Sequence, residues 1–278
     1  MTAFKLPETS EKVLLLEDRL VLHITLNDPR YRNALSDDVV SDLIKVLAAL
    51  RDTTEITAVV LRGAGGVFCA GGNLKSFAED YQHSDTDIAE LEKKIAATNW
   101  YMGREIFRAF GRLPQTVITV VEGAAMGGGV GLACCNDVMI TAVDCKYSTT
   151  ETTLGLIPAQ IASFVVERIG LTEARRIMLT GVRFDGVEAK RMGMAHYCEV
   201  DADAVNERLE EVISSVRRCG PQANRMTKEL LFHYMEHGLD PTLEFAGKLF
   251  GKCMLGDEAK EGVASFIEKR KPEWVSNG

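Results

Sequence analysis

Two glycine-bearing turns hold the residues best placed to do chemistry in this chain: "GGVFCAGGNLKSF" at 65–77 and "AAMGGGVGLACCNDV" at 124–138. Each follows an apolar stretch of strand character and runs into a stretch of helical character. Such turns can present unpaired backbone N–H groups at a helix N-terminus, where donors and dipole favour negative charge. Two N–H donors converging on one point make an oxyanion hole, which suits a thioester whose carbonyl becomes an enolate. For either turn alone the plainer reading is tight helix–strand packing. No G-x-x-x-x-G-K-[ST] run is present, and the glycines at 127–131 meet the G-x-G-x-x-G spacing only loosely and lie mid-chain. Nucleotide-binding loops are therefore set aside.

Three further groups invite a chemical role. Cys69 sits in the first turn, but no histidine accompanies it in the sequence, and a buried thiol is the commoner state. Glu122 lies just before the second turn, at an expected strand end, where a structural or rim role is favoured. His233 and His237, in "HYMEH", stand one helical turn apart. They lack the H-E-x-x-H acid and a third ligand, so no metal site is expected.

These turns need elements to carry them. "VLLLEDRLVLHITLND" reads as two strands joined at Glu17–Asp18. "SDDVVSDLIKVLAALRDT" reads as a helix from the N-cap candidate Ser36, with apolar residues at 39, 40, 43, 47 and 50. "ITAVVLRGAG" is a buried strand, 86–112 is helical, "TVITVVEG" is a strand, and "VMITAVDCKYSTT" is strand-like. The alternation of helix, strand and glycine turn predicts parallel α/β units. From about residue 200 the pattern becomes helical, so a core over 1–200 and a helical region over 201–278 are expected.

The bulk properties narrow the partners. The 278 residues are 46% hydrophobic and 26% charged, an ordinary globular composition. A net charge of −8 argues against a nucleic-acid partner, which wants a basic face. Seven cysteines form no C-x-x-C pair, which points to reduced thiols and a cytoplasmic location. No apolar run reaches the length of a membrane span, so no membrane partner is expected.

Five segments in order, "NDPRYRNALS", "GGVFCAGGNLKSF", "VEGAAMGGGVGLACCNDVMI", "TETTLGLIP" and "ASFIEKRKPEW", resemble the successive signatures of the enoyl-CoA hydratase/isomerase (crotonase) family. The resemblance covers nearly the whole chain. It implies an α/β fold with a crotonase-type ββα spiral core and a helical C-terminal trimerisation region, in homotrimers or dimers of trimers. It also implies acyl-CoA thioester substrates and no cofactor beyond the CoA they carry.

Position by position, the resemblance places the first oxyanion donor at the N–H of Ala70 and the second at Gly128. Hydratases of the family usually carry two glutamates; one of those positions holds Glu151 and the other holds Gly131. Glu151 would then do the proton work alone, and the missing side chain at Gly131 would leave room for a bulkier or branched acyl group. Where the family often has I-P-G-x-G-G, this chain has "IPAQIAS", so Gln160 can offer an amide to a polar acyl end. The "PAQIA" run is similar to the branch acting on branched glutaconyl-type acyl-CoAs, such as isohexenylglutaconyl-CoA of acyclic terpene breakdown and methylglutaconyl-CoA.

Asn73 and Leu74 adjoin the first donor and are expected to touch substrate. Trp100, Tyr101, Met102 and Phe107 lie in a segment that can line an acyl pocket, with core packing as the plainer alternative. Arg30, Arg32 and Lys75 are candidates for the CoA phosphates, and Phe266 and Lys269 for the adenine and phosphate of a neighbouring subunit's CoA. A lone carboxylate can hydrate a 2-enoyl thioester or shuttle a proton from Cα to Cγ. Hydratase, isomerase and a catalytically silent acyl-CoA-binding homologue all stay open on the residues alone.

Overall fold

The computed structural model describes residues 4–73 and 87–276. Strands β1 (Val13–Asp18), β2 (Val21–Leu26), β3 (Ala58–Gly63), β4 (Thr116–Val121), β6 (Val138–Ala142) and β8 (Tyr197–Glu199) form a sheet in the order β1-β2-β3-β4-β6-β8. β1 and β2 are antiparallel and every other pair is parallel. The central parallel strands β3, β4 and β6 are rich in Val, Ile and Ala because both faces of the sheet are covered there. The β1–β2 turn falls at Arg19 and Leu20, with φ of 46° and 65°, two residues later than the sequence suggests. A two-residue hairpin needs this left-handed pair to match strand twist.

A second layer makes the spiral. β5 (Ala124–Met126) leaves the end of β4 and pairs in parallel with β7 (Lys146–Ser148), while Cys69 bridges to Ala125. The stretch 138–150 is therefore not one strand, because the chain turns a corner at Val143–Cys145 and its second half pairs with β5 rather than the main sheet. Each turn of the spiral thus runs main strand, short second-layer strand, helix.

Helix α1 (Asp37–Asp52) buries Val39, Leu43, Val46, Leu47 and Leu50 against the core. Ser36 is its N-cap residue, but the Ser36 hydroxyl makes no capping bond; Asp37 and Asp38 supply the favourable charge in the first turn. Helix α2 (Ile88–Met102) buries none of its residues. It continues into a π-helical turn, Gly103–Arg108, which swings Ile106 and Phe107 into the core. Helix α3 (Gly128–Cys134) and helix α4 (Ala162–Thr180) follow β5 and β7.

After the short helix α5 (Gly186–Arg191), helix α6 (Ala202–Arg218) closes the sheet's other face with Val205, Leu209, Val212 and Ile213. Each such side chain contributes about 1.5–3 kcal/mol on burial. Helices α7 (Pro221–His237), α8 (Leu239–Met254) and α9 (Asp257–Glu268) bury little and leave Leu231, Leu239, Leu243, Phe250 and Met254 exposed. Among the described residues no helix is long and apolar enough to cross a membrane.

Candidate active site

Glu151 opens a 3-10 turn, Glu151–Leu154, just after β7. Side-chain bonds staple this segment to the end of α4. The Ser148 hydroxyl donates to the Gly181 carbonyl (3.1 Å), Thr149 to Ile177 (3.0 Å) and Thr152 to Met178 (2.8 Å). The Glu151 carboxylate is thereby held against the glycine turn. Its Oε1 lies 3.0 Å from the point where a Cβ on Gly127 would stand. A side chain at 127 would displace it, and Gly127 also adopts φ 49°, a left-handed conformation natural to glycine. Glu151 Oε2 is buried without a hydrogen-bond partner among the described residues. Burial pushes the Glu151 carboxyl above the ordinary glutamate value, opposed only by a bond to its own backbone N–H.

The two glycine turns are laced together. Phe68 and Cys69 N–H groups donate to the Ala124 carbonyl (3.1 Å each), and Met126 N–H donates to the Cys69 carbonyl (2.9 Å). On the other edge the Ala70 N–H donates to the Arg32 carbonyl at 3.0 Å. That N–H is already bonded, which corrects the assignment of Ala70 as an oxyanion donor. Gly71 then turns the chain at φ +90°, and a Cβ there would stand 2.5 Å from the Met126 carbonyl oxygen and 3.0 Å from the Gly128 nitrogen.

Beyond that turn, the Gly72 N–H finds no acceptor among the described residues, and neither does the Gly128 N–H in the first turn of α3. The Gly72 nitrogen lies 3.6 Å from the position of a Gly128 Cβ. The unpaired donors brought together are thus those of Gly72 and Gly128. The second glycine after the alanine in "CAGGN" was the available signal: Gly71 bends the chain, and the next amide is the one released.

Gly131 lies one turn along α3 and is buried, but no vacancy surrounds it. A Cβ there would collide with the Ile161 side chain, 2.5 Å from its Cβ, and would press on Phe107 Cε1 at 3.3 Å. The expected room for a larger acyl group at this point is occupied, since Ile161 and the π-turn residue Phe107 fill it. Both are fully buried, and Phe107 packs on Phe164 with ring centroids 5.9 Å apart.

The remaining candidates disperse. Cys69 is buried, its thiol is pushed up to about 12, and its sulfur accepts the Gly71 N–H, so it is not a nucleophile. Glu122 is held by Arg62 at 2.6 Å. His233 stacks on Phe245 and bonds Thr242, and no metal-binding cluster occurs among the described residues. Trp100 is 62% exposed beneath Arg104, and Tyr101 is also exposed; of that group only Phe107 is fully buried, beside Gly131.

Gln160 is half-buried beside Ile161, and its amide makes no hydrogen bond among the described residues. Asn73 is half-buried next to Gly72, whereas Leu74 and Lys75 lie outside the described residues. Arg30 and Arg32 are exposed around the 3-10 turn Pro29–Tyr31, with Arg30 over the Tyr31 ring. Phe266, 84% exposed, and Lys269 stand at the exposed end of α9.

Known proteins resemble this chain along nearly its whole length. A family model described as Enoyl-CoA hydratase/isomerase matches residues 17–277. A probable enoyl-CoA hydratase of Mycobacterium bovis is 31% identical over 271 residues, covering 96% of this chain and 99% of that protein. Among solved structures, AtuE of Pseudomonas aeruginosa is 46% identical with a TM-score of 0.88, covering 95% of this chain and 100% of that one. An enoyl-CoA hydratase/isomerase from Marinobacter aquaeolei is 38% identical with a TM-score of 0.89, over 96% and 100%.

Proposed function

Because the chain belongs to the enoyl-CoA hydratase/isomerase family, whose substrates are acyl-CoA thioesters, we propose that it adds water reversibly across the 2,3-double bond of a 2-enoyl-CoA, with Glu151 as the only acid and base. Ionised Glu151 takes a proton from the water attacking Cβ. The electron pair of the double bond moves onto the thioester, and the N–H groups of Gly72 and Gly128 hold the enolate oxygen. Protonated Glu151 then returns its proton to Cα on the same face. One observation carries this reading: the Glu151 carboxylate has a buried oxygen unpaired among the described residues and a raised proton affinity, and it lies against the turn that presents Gly128.

The acyl group we favour is branched or carboxylated, of the isohexenylglutaconyl-CoA kind met in terpene, branched-chain and fatty-acid breakdown. Support comes from charge rather than from room. Two like charges 4 Å apart repel by about 4 kcal/mol at an effective dielectric of 20. With Gly131 and Ile161 where a second glutamate would stand, a substrate carboxylate meets one such charge fewer, and the Gln160 amide is free to donate to it.

Arg30, Arg32 and Lys75 are assigned to the CoA phosphates, with Asn73, Leu74 and Trp100 near the acyl chain. The exposed apolar residues of α7–α9 support trimers or hexamers in which Phe266 and Lys269 reach a neighbour's CoA. Seven unpaired thiols support a cytoplasmic location. The mechanism uses no cofactor beyond the CoA of the substrate.

A panel of 2-enoyl- and 3-enoyl-CoA thioesters with a mass readout tests the proposal. Gain of one water from a 2-enoyl-CoA supports it. Conversion of a 3-enoyl into a 2-enoyl thioester without mass change selects the isomerase. No turnover of any thioester, with binding retained, selects the silent homologue.

A further inference from the structure

Asn33 is fully buried and spends its whole carboxamide on backbone. Its Oδ1 accepts the Asp28 N–H at 2.7 Å, and its Nδ2 donates to the carbonyls of Ala64 (2.9 Å) and Val67 (2.6 Å). Its backbone N–H donates to the Asp28 carbonyl at 2.9 Å. Arg32 and Asn33 are both left-handed, with φ of 53° and 55°, so the turn is a sharp one that asparagine tolerates better than most residues. The side chain thus ties the 28–33 turn to the stretch leaving β3.

That turn continues directly into the contacts that sort the amides of the first glycine turn. The Arg32 carbonyl takes the Ala70 N–H at 3.0 Å, and the Leu35 N–H donates to the Gly71 carbonyl at 2.8 Å. The two groups that precede Gly72, the Ala70 N–H and the Gly71 carbonyl, are thereby consumed, and the Gly72 amide that follows has no acceptor among the described residues. On the opposite edge the same segment is bound to β5, so Asn33 supplies the outer half of a clamp whose inner half is the Phe68/Cys69–Ala124 pairing.

We propose that Asn33 is a positioning residue for the oxyanion hole, fixing the register in which Gly72 rather than Ala70 offers its N–H to the thioester oxygen. This rests on the reading of Gly72 and Gly128 as the donors. Asn33 touches no substrate; it acts through Arg32, Ala64 and Val67. Because a misplacement of about 1 Å in such a site can cost about 100-fold in rate, the loss should fall on kcat.

The test uses Asn33→Gly, which keeps the left-handed backbone open while deleting every side-chain bond, and Asn33→Asp, which keeps the acceptor for Asp28 but loses both donors. The probe is a conjugated aminocinnamoyl-CoA, whose absorption moves to longer wavelength when its carbonyl is polarised. With the full-length protein, both variants are expected to lose about 10- to 100-fold in kcat and to show a smaller red shift of the bound probe. A variant that melts earlier but keeps the parental kcat and the full red shift would overturn the assignment and leave a purely structural role. If Asn33→Gly does not fold, Asn33→Asp gives the same decision. Absence of any red shift in the parent itself would overturn the oxyanion reading, and this inference with it.

Discussion

Ile161 stands in the volume that any side chain on Gly131 would need, its Cβ 2.5 Å from the position of a Gly131 Cβ. The two positions are therefore one packing unit. Gly131→Ala overpacks that unit and should destabilise the protein by about 1–3 kcal/mol. Ile161→Ala alone should cost about 2–5 kcal/mol by leaving a cavity. The double variant should be less destabilised than the sum, with a coupling of about 1 kcal/mol or more in urea unfolding. Strict additivity would show that the contact does not exist in solution.

Gly128 offers a second check, because its backbone role separates cleanly from its size. A Cβ there would meet Leu35 and the Gly71 α-carbon at ordinary distances, 3.5 and 3.6 Å. Gly128→Ala keeps the N–H and should stay within about 1 kcal/mol of the parent in stability. Gly128→Pro sits at the first helical position, which proline favours, yet it removes the donor. A folded Gly128→Pro protein should lose about 100- to 1,000-fold in kcat, while Gly128→Ala loses far less. Equal activities in the two would rule out Gly128 as a donor.

What the chain discloses without coordinates follows from how local each signal is. The alternation around β3, β4 and β6 reads directly, since apolar runs and glycine turns are contiguous in sequence. The break between β6 and β7 does not, because β7 is defined by pairing with β5, a partner some twenty residues earlier. The donor at Gly72 was displaced by two residues for a similar reason. Whether the Ala70 amide is free depends on Arg32, which only the fold brings beside it. The exchange at Gly131 and Ile161 was visible as two separate departures from the family's pattern, a glycine where an acid is usual and an isoleucine where a glycine is usual. That they are one compensated exchange required their contact.

Cys69 has the position of a nucleophile and the surroundings of a core residue. Burial raises its thiol to about 12, so almost no thiolate exists at neutral pH. Iodoacetamide should modify the exposed Cys219 first and leave activity intact. Cys69→Ala should retain kcat within about tenfold, a loss expected only from the sulfur's bond to the Gly71 N–H at 3.4 Å. A loss of the order seen for Glu151→Gln would revive a covalent role.

Glu151 links mechanism to stability with opposite signs. As the base for water it must be ionised, so kcat/KM should rise with pH through a value above the ordinary 4.5, and Glu151→Gln should lower kcat/KM by about 100- to 10,000-fold. For stability, a carboxyl whose folded value is raised favours the folded state fully below 4.5 and loses that contribution as pH rises through the folded value. The parent therefore carries at neutral pH a charge whose buried Oε2 has no partner among the described residues, and Glu151→Gln removes that charge. Glu151→Gln should match or exceed the parent in melting temperature at neutral pH, and its advantage should shrink as the pH is lowered toward 4.5. A variant less stable than the parent at neutral pH, with the gap widening upward, would mean that the carboxylate is held by a favourable partner, and the raised proton affinity on which the hydration mechanism relies would not exist.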